Sequence, residues 1–447
     1  MKFVSTLFFA LLLLVSCNTS RVVSTYSWGT DLHQRLLCDF SQSREQVKDY
    51  VGKYIPDVTE SQIDHWTTTG KLENMMLDGK IHYFGKAAQN LFRIDSACVA
   101  IKEQKEGAEL SAYQKVNLVN IPQIISQVRQ QGSTPPHLGA PKRMRVNYTL
   151  TVKADAVPAG EKIRCWLPFP RNDEYRQRDV KLLKTSEQKY IKAPARYTHS
   201  TIYLEKVAEA GKPTVFSETF EYTSYGEKFF MTDSNIKPYN KNTKLYKEYT
   251  AEREKHIVFT PRLRFLADSL SQGLTTPQEK AKAFFCWIKK NYPWGSSREY
   301  STLENIPEYV VHNGHGDCGQ VSLLFITLCR LCGIPAHFES GFMMHPGAEG
   351  MHDWAEIYLE GLGWVPVDQS FGVLYYAQNE DEKMFFLGGI DSYRMIVNND
   401  FGKPLYPRKT YPRSETVDFQ RGEVEWNGGN IYFDKWNWHL DVTYLNQ

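Results

Sequence analysis

The run GDCGQVSLLFITLCRLCGIPA, from Gly316 to Ala336, constrains the fold more than any other part of this chain. Val321, Leu324, Phe325, Leu328 and Leu331 recur at helical spacing, Gly333 fits a C-terminal cap and Pro335 blocks continuation. A helix of this composition has a buried body. Its first turn carries Cys318 between Asp317 and Gly319, a setting that a structural cysteine does not need. Unpaired amides and the helix dipole at that end favour thiolate over thiol, so a lowered pKa and a nucleophilic sulfur are expected.

The flanking pattern supplies partners. Thr276-Pro277-Gln278-Glu279 has the form of a capped helix start, and Ala281, Phe284, Phe285, Ile288 and Tyr292 form the buried face that follows. After the cysteine helix, strands are expected from Phe338 to Met343, Asp353 to Glu360 and Trp364 to Asp368, an α+β arrangement. Of the twelve histidines, His352 is best placed as a base, because it opens a strand behind the loop HPGAEGM. Asp368 closes the next strand and is the acceptor expected to set its tautomer. A three-residue turn at 361–363 would set Asp368 opposite Glu356. Parity then puts Asp368 and His352 on one face, but roughly 13 Å apart along the strand. Glu356 shares that face as a rival acid, whereas Asp353 points away.

With 447 residues, roughly three domains are expected. Met1-Lys2, the apolar run from Phe3 to Val15 and Ser16 before Cys17 form a secretory signal over 1–17. Leu14-Val15-Ser16-Cys17 resembles the lipobox of bacterial lipoproteins, which implies lipidation of Cys17, export, and a membrane partner through that anchor alone, in the periplasm or at the cell surface. Helical spacing without a convincing strand fills 28–135, including the capping-box sequence at Thr59 to Gln62. The Gly- and Pro-rich stretch from Gln130 to Pro141 reads as a linker. Alternation of Met144, Val146, Tyr148, Leu150 and Val152 with polar residues then marks a small antiparallel β-sandwich-like domain over 142–235. The segment 245–447 holds the cysteine helix and ends in an aromatic hairpin around Asn427-Gly428. There Trp426, Trp436 and Trp438 either cover core or stack on sugars or peptides. A formal charge of +2 gives no reason to expect nucleic acid as partner. Eight cysteines are too few for a disulfide scaffold. His312, His315, Cys318, Cys329, Cys332 and His337 would suffice for zinc on paper, but Cys329 and Cys332 fall on or near a core helix, and a redox pair would belong at a helix start. No metal and no cofactor are expected.

Three runs in order, TPQEKAKAFFCWIKKNYPW, GHGDCGQVSLLFITLCRLCGIPAHFESGF and HDWAEIYLEGLGWVPVD, resemble the core of the transglutaminase-like (transglutaminase/protease-like) superfamily. Gly316 to Gly319, Gly333 to Ala336, His352 with Trp354 and Glu356, and Gly363 to Pro366 with Asp368 carry the likeness, over about residues 260 to 375. The upstream regions are similar to multidomain transglutaminase-like lipoproteins of Bacteroidetes, without a specific motif. The resemblance implies a papain-like α+β core and a triad of Cys318 as nucleophile, His352 as base and acid, and Asp368 as orienter. It also implies acyl transfer on peptide or protein amides through a thioester. Resolution by water makes a cysteine peptidase or amidase, the outcome expected from bacterial relatives; resolution by an amine makes a cross-linking transferase; and a surface binding module that keeps the fold is the competing class. The backbone N–H of Cys318 is expected to serve the oxyanion, with Tyr292, Trp294 or Gln320 as second donor. One departure stands out: Asp353 occupies a slot where alanine is common, where it could raise the pKa of His352 or restrict the substrate pocket.

Overall fold

A computed structural model describes residues 26–107, 109–132 and 137–445. The expected signal segment and Cys17 lie outside the described residues.

Six helices from Trp28–Asp39 to Ala112–Gln131 build the N-terminal region. Ser43, Thr59 and Ser111 each open a helix with a reciprocal capping box, which satisfies amides that the helix itself leaves unpaired. Contrary to the all-helical expectation, Asn74–Leu77 and Lys80–Tyr83 pair as a hairpin. Asp78 and Gly79 both have positive φ (49° and 76°), as the tight turn that matches strand twist requires. Strands of four residues are too short to print a period of two.

The strand Leu138–Val152 begins inside the expected linker. Together with Thr214–Lys228, Gln177–Thr185, Gly389–Ile390 and Trp436–Leu445 it forms one five-stranded sheet. Lys162–Pro168, Thr201–Val207, Ile191–Lys192, Glu423–Trp426 and Gly429–Asn430 form the other. Val146, Tyr148, Leu150, Cys165, Leu204 and Phe220 fill the space between them. The strands after Glu423, which the chain order placed with the cysteine helix, find their hydrogen-bond partners in this sandwich. Trp436–Leu445 runs antiparallel along Leu138–Val152 from Trp436 opposite Val152 to Leu445 opposite Arg143. Trp438 stacks on Tyr148 at 6.0 Å, Trp436 donates its indole N–H to the Ile431 carbonyl (2.9 Å), and Trp426 packs on the same core. All three cover the core.

Between the sandwich strands the chain makes an α+β unit. The helix Cys318–Leu331 is its axis, with Leu323, Leu324, Phe325, Ile326 and Leu328 wholly buried. Pro261–Ser271, Pro277–Asn291 and Ile306–Asn313 surround it. An antiparallel sheet in the order Gly363–Val367, Gly350–Leu359, Ala336–Met343, Arg394–Asn398 covers it. Ala355, Ile357 and Leu359 join the helix core, so the odd-numbered face of the central strand is the one turned to the helix. Among the described residues no helix is long and apolar enough to cross a membrane.

Candidate active site

Asp317 caps the cysteine helix: its carboxylate accepts from the Gln320 amide (3.0 Å) while the Gln320 side chain accepts from the Asp317 amide (3.2 Å). The Gln320 side-chain N–H donates to Ser297 Oγ at 2.6 Å, so both ends of that amide are engaged. Tyr300 Oη donates to Asp317 at 2.5 Å. A Cβ on residue 319 would stand 2.3 Å from Tyr300 Oη and 2.8 Å from Asp353 Oδ2, which is why glycine follows the cysteine.

The turn after the histidine strand has the expected length but lies one residue earlier. Leu359 pairs with Gly363 and Ala355 with Val367, a register that carries Asp368 to the level of Trp354 instead of Glu356. The separation along the strand is halved, parity is kept, and diagonal neighbours across a ladder come within side-chain reach. His352 Nε2 meets Asp368 Oδ2 at 2.7 Å, both buried. Burial opposes the charge of Asp368, but His352 and the guanidinium of Arg394 (2.9 Å) outweigh it and lower its pKa. Asp368 is therefore a carboxylate, Nε2 carries the proton, and Nδ1, which has no hydrogen-bond partner among the described residues, is the basic nitrogen. Burial chiefly lowers the His352 pKa; Asp368 opposes and Arg394 reinforces that shift. Asp353 does not raise it as expected. Arg394 also grips Asp391 (2.6 Å), which holds His345 at 3.1 Å, so the pair rests on a buried relay of alternating charge. Glu356, the rival acid, is engaged by His337 (2.9 Å) and Arg176 (3.3 Å).

The sulfur meets the next residue of that strand. Cys318, half-buried, donates its thiol to Asp353 Oδ2 at 3.2 Å, and no hydrogen bond joins it to His352. Helix-start geometry was expected to lower the thiol pKa; instead burial, then the carboxylates of Asp353 and Asp317, raise it well above the ordinary value. Burial, the largest cause, together with the nearby acidic groups outweighs a helix-end partial charge. Cys318, Trp294, Tyr300, Met351 and Asp353 share the wall of a cavity of about 170 Å3. Trp294 is 47% exposed there, with the Arg93 guanidinium over its ring. Tyr292 lines a neighbouring cavity with Lys289 and Gln369 and does not reach the sulfur's. The paper zinc ligands are dispersed: His337 is on Glu356, Cys332 near Ser271, and Cys329 in the core. Among the described residues no three His, Cys, Asp or Glu side chains converge as metal ligands. Arg394 and Gln420, which holds the His352 carbonyl (3.0 Å) and Asp353 Oδ1 (2.9 Å), are contributors that sequence gave no sign of, since both arrive from distant segments.

Residues 264–369 match the family model of the transglutaminase-like superfamily. This segment is similar to a transglutaminase-like core. Across 260 residues the chain is 24% identical to an uncharacterised protein of Haemophilus influenzae, covering 50% of this chain and 68% of that one. A solved Cytophaga hutchinsonii protein described as a candidate cysteine protease superposes with a TM-score of 0.46 at 14% identity, over 69% of this chain and 93% of its own. The periplasmic domain of TgpA from Pseudomonas aeruginosa superposes with a TM-score of 0.29 at 15% identity, over 55% of this chain and 91% of its own. The matched segment contains Cys318, His352 and Asp368, the three residues of the expected triad, while Arg394, the buried support of Asp368, lies beyond it.

Proposed function

We propose that the protein hydrolyses peptide or protein amides through a thioester on Cys318. The observation that carries this is the buried His352–Asp368 pair, with its basic Nδ1 unengaged, on the strand that also contacts the sulfur. In the reacting form the Cys318 side chain leaves Asp353 and its proton passes to His352 Nδ1. The thiolate attacks the carbonyl carbon, forming C–S as the C–N bond breaks, and the imidazolium gives its proton to the departing amine. Water then adds with His352 as base, C–S breaks, and the thiol is regenerated. The backbone N–H of Cys318, at the helix start, is a donor for the oxyanion.

Peptide amides incubated with the purified protein test this. Cys318→Ala should abolish cleavage, His352→Ala should lower kcat/KM by roughly a hundredfold or more, and intact-mass spectra of the wild type should contain an acyl adduct on Cys318. Cleavage that survives Cys318→Ala would overturn the proposal. Incorporation of a labelled amine into a glutamine peptide would make the protein a transferase. A non-catalytic docking module is the second reading, favoured by one observation, the grip of Asp353 on the thiol; it requires that no peptide be cleaved and no adduct form. We further propose export and lipid anchoring at Cys17, supported by the N-terminal sequence pattern. Cys17→Ser should move the protein from the membrane fraction to the soluble one.

A further inference from the structure

The cavity above Cys318 is charged in one direction. Arg421 faces it but is committed to Glu299 (2.8 and 2.5 Å) and Glu415 (2.6 Å), and Arg298 turns away to Glu73 (3.6 Å). Three aspartates are left without a cation. Asp317 is satisfied by Tyr300 and the Gln320 amide, and Asp353 by Gln420 and the thiol. Asp418 differs: it is only 7% exposed, lines the cavity, and its carboxylate has neither a hydrogen-bond nor an ion-pair partner among the described residues. A carboxyl group buried without a donor is costly, and the one open direction is the cavity. No metal geometry converges there. What fits a small acidic cavity with an apolar wall of Trp294 and Met351 is a compact cation with several donors, which is the description of a primary ammonium.

We propose that this cavity is a subsite for a protonated primary amine of the substrate, with Asp418 as its acceptor. The inference deepens the hydrolase proposal and rests on it for one point, that the carbonyl attacked belongs to the residue bearing this amine. Because Cys318 shares the cavity, the charge sits within about one residue of the scissile bond. The substrate is then an amide whose acyl residue has either a free α-amine or a side-chain amine. An ammonium held by a carboxylate has no lone pair to attack a thioester, so the subsite selects acyl donors and does not deliver an acceptor. Burial and the neighbouring carboxylates push the carboxyl group of Asp418 well above its ordinary range, the state to be expected of an acid that lacks its counter-ion.

Binding is measured apart from catalysis, by calorimetry on Cys318→Ala with four probes: Lys-Ala-amide, norleucyl-Ala-amide and the Nα-acetyl form of each. The acetylated norleucyl probe should bind about tenfold or more weakly than at least one probe that retains an amine. Preference that follows acetylation identifies the α-amine as the group recognised, and preference that follows lysine identifies the side-chain amine. Asp418→Asn, checked for an unchanged melt, should reduce the preference to less than about twofold. Equal binding of all four, no heat from any, or a preference that persists in Asp418→Asn would overturn the inference. Amine-dependent binding without cleavage by the wild type would instead sink the hydrolase proposal and leave the subsite standing.

Discussion

Asp353 holds the proton that Cys318 has to lose. Replacing it with asparagine removes the acidic group 3.2 Å from the sulfur that helps to raise the thiol pKa, so that pKa should fall and alkylation by iodoacetamide at pH 7 should quicken by about tenfold or more. Mass-spectrometric rates at Cys318 over a pH series check this, and an unchanged profile would mean that Asp353 does not govern the thiol. Arg394 lowers the His352 pKa while it stabilises two buried carboxylates. In Arg394→Met the acid limb of kcat/KM should therefore move to higher pH, and stability should drop by roughly 3–5 kcal/mol, which a urea melt would detect. Alternation along the strand was enough to put His352 and Asp353 on opposite faces. It carried no information on which face the helix covers, and that is why the sulfur's actual partner was not legible. Arg394 follows the quoted motifs at a distance and meets them only through sheet pairing.

At the scale of elements, the start of the cysteine helix is crowded by design of its neighbours. Gly319→Ala forces a methyl group against Tyr300 Oη and Asp353, and overpacking of this kind costs roughly 1–3 kcal/mol. Its melting temperature should fall, and Tyr300→Phe in the same chain, which removes the nearer obstacle, should restore part of the loss; no recovery would place the strain elsewhere. Helix limits, caps and the Gly-Ile-Pro stop were readable because each depends on a few adjacent residues. The hairpin at Asp78-Gly79 had a local signal as well, but its strands were too short for the period to support it. The register after His352 turned on a one-residue shift in where the turn begins, with Gly361 and Gly363 both at positive φ. A shift that small halves the distance from Asp368 to His352.

Across the whole molecule, buried acids tie the parts together. Asp39, at the end of the first helix, accepts from the Glu299 amide and from Thr302 Oγ1 (both 3.1 Å) beside the active-site cavity. Burial and the nearby Glu299 raise its pKa to about 7. The folded state thus binds this proton more tightly than the unfolded chain does. Its contribution is complete below pH ~4 and is lost as the pH rises through about 7, a few kcal/mol at most. Thermal melts should show a smaller decline between about pH 5 and 8 for Asp39→Asn than for the wild type. Domain order could be read from changes of period, but the return of the last strand could not, because nothing in the alternation of Trp436 to Leu445 names Leu138–Val152 as its neighbour. That return also sets a timetable for biogenesis. Trp436–Leu445 emerges roughly 280 residues after Val152, whether from the ribosome or across a membrane, and until then one edge of Leu138–Val152 stands open to foreign strands.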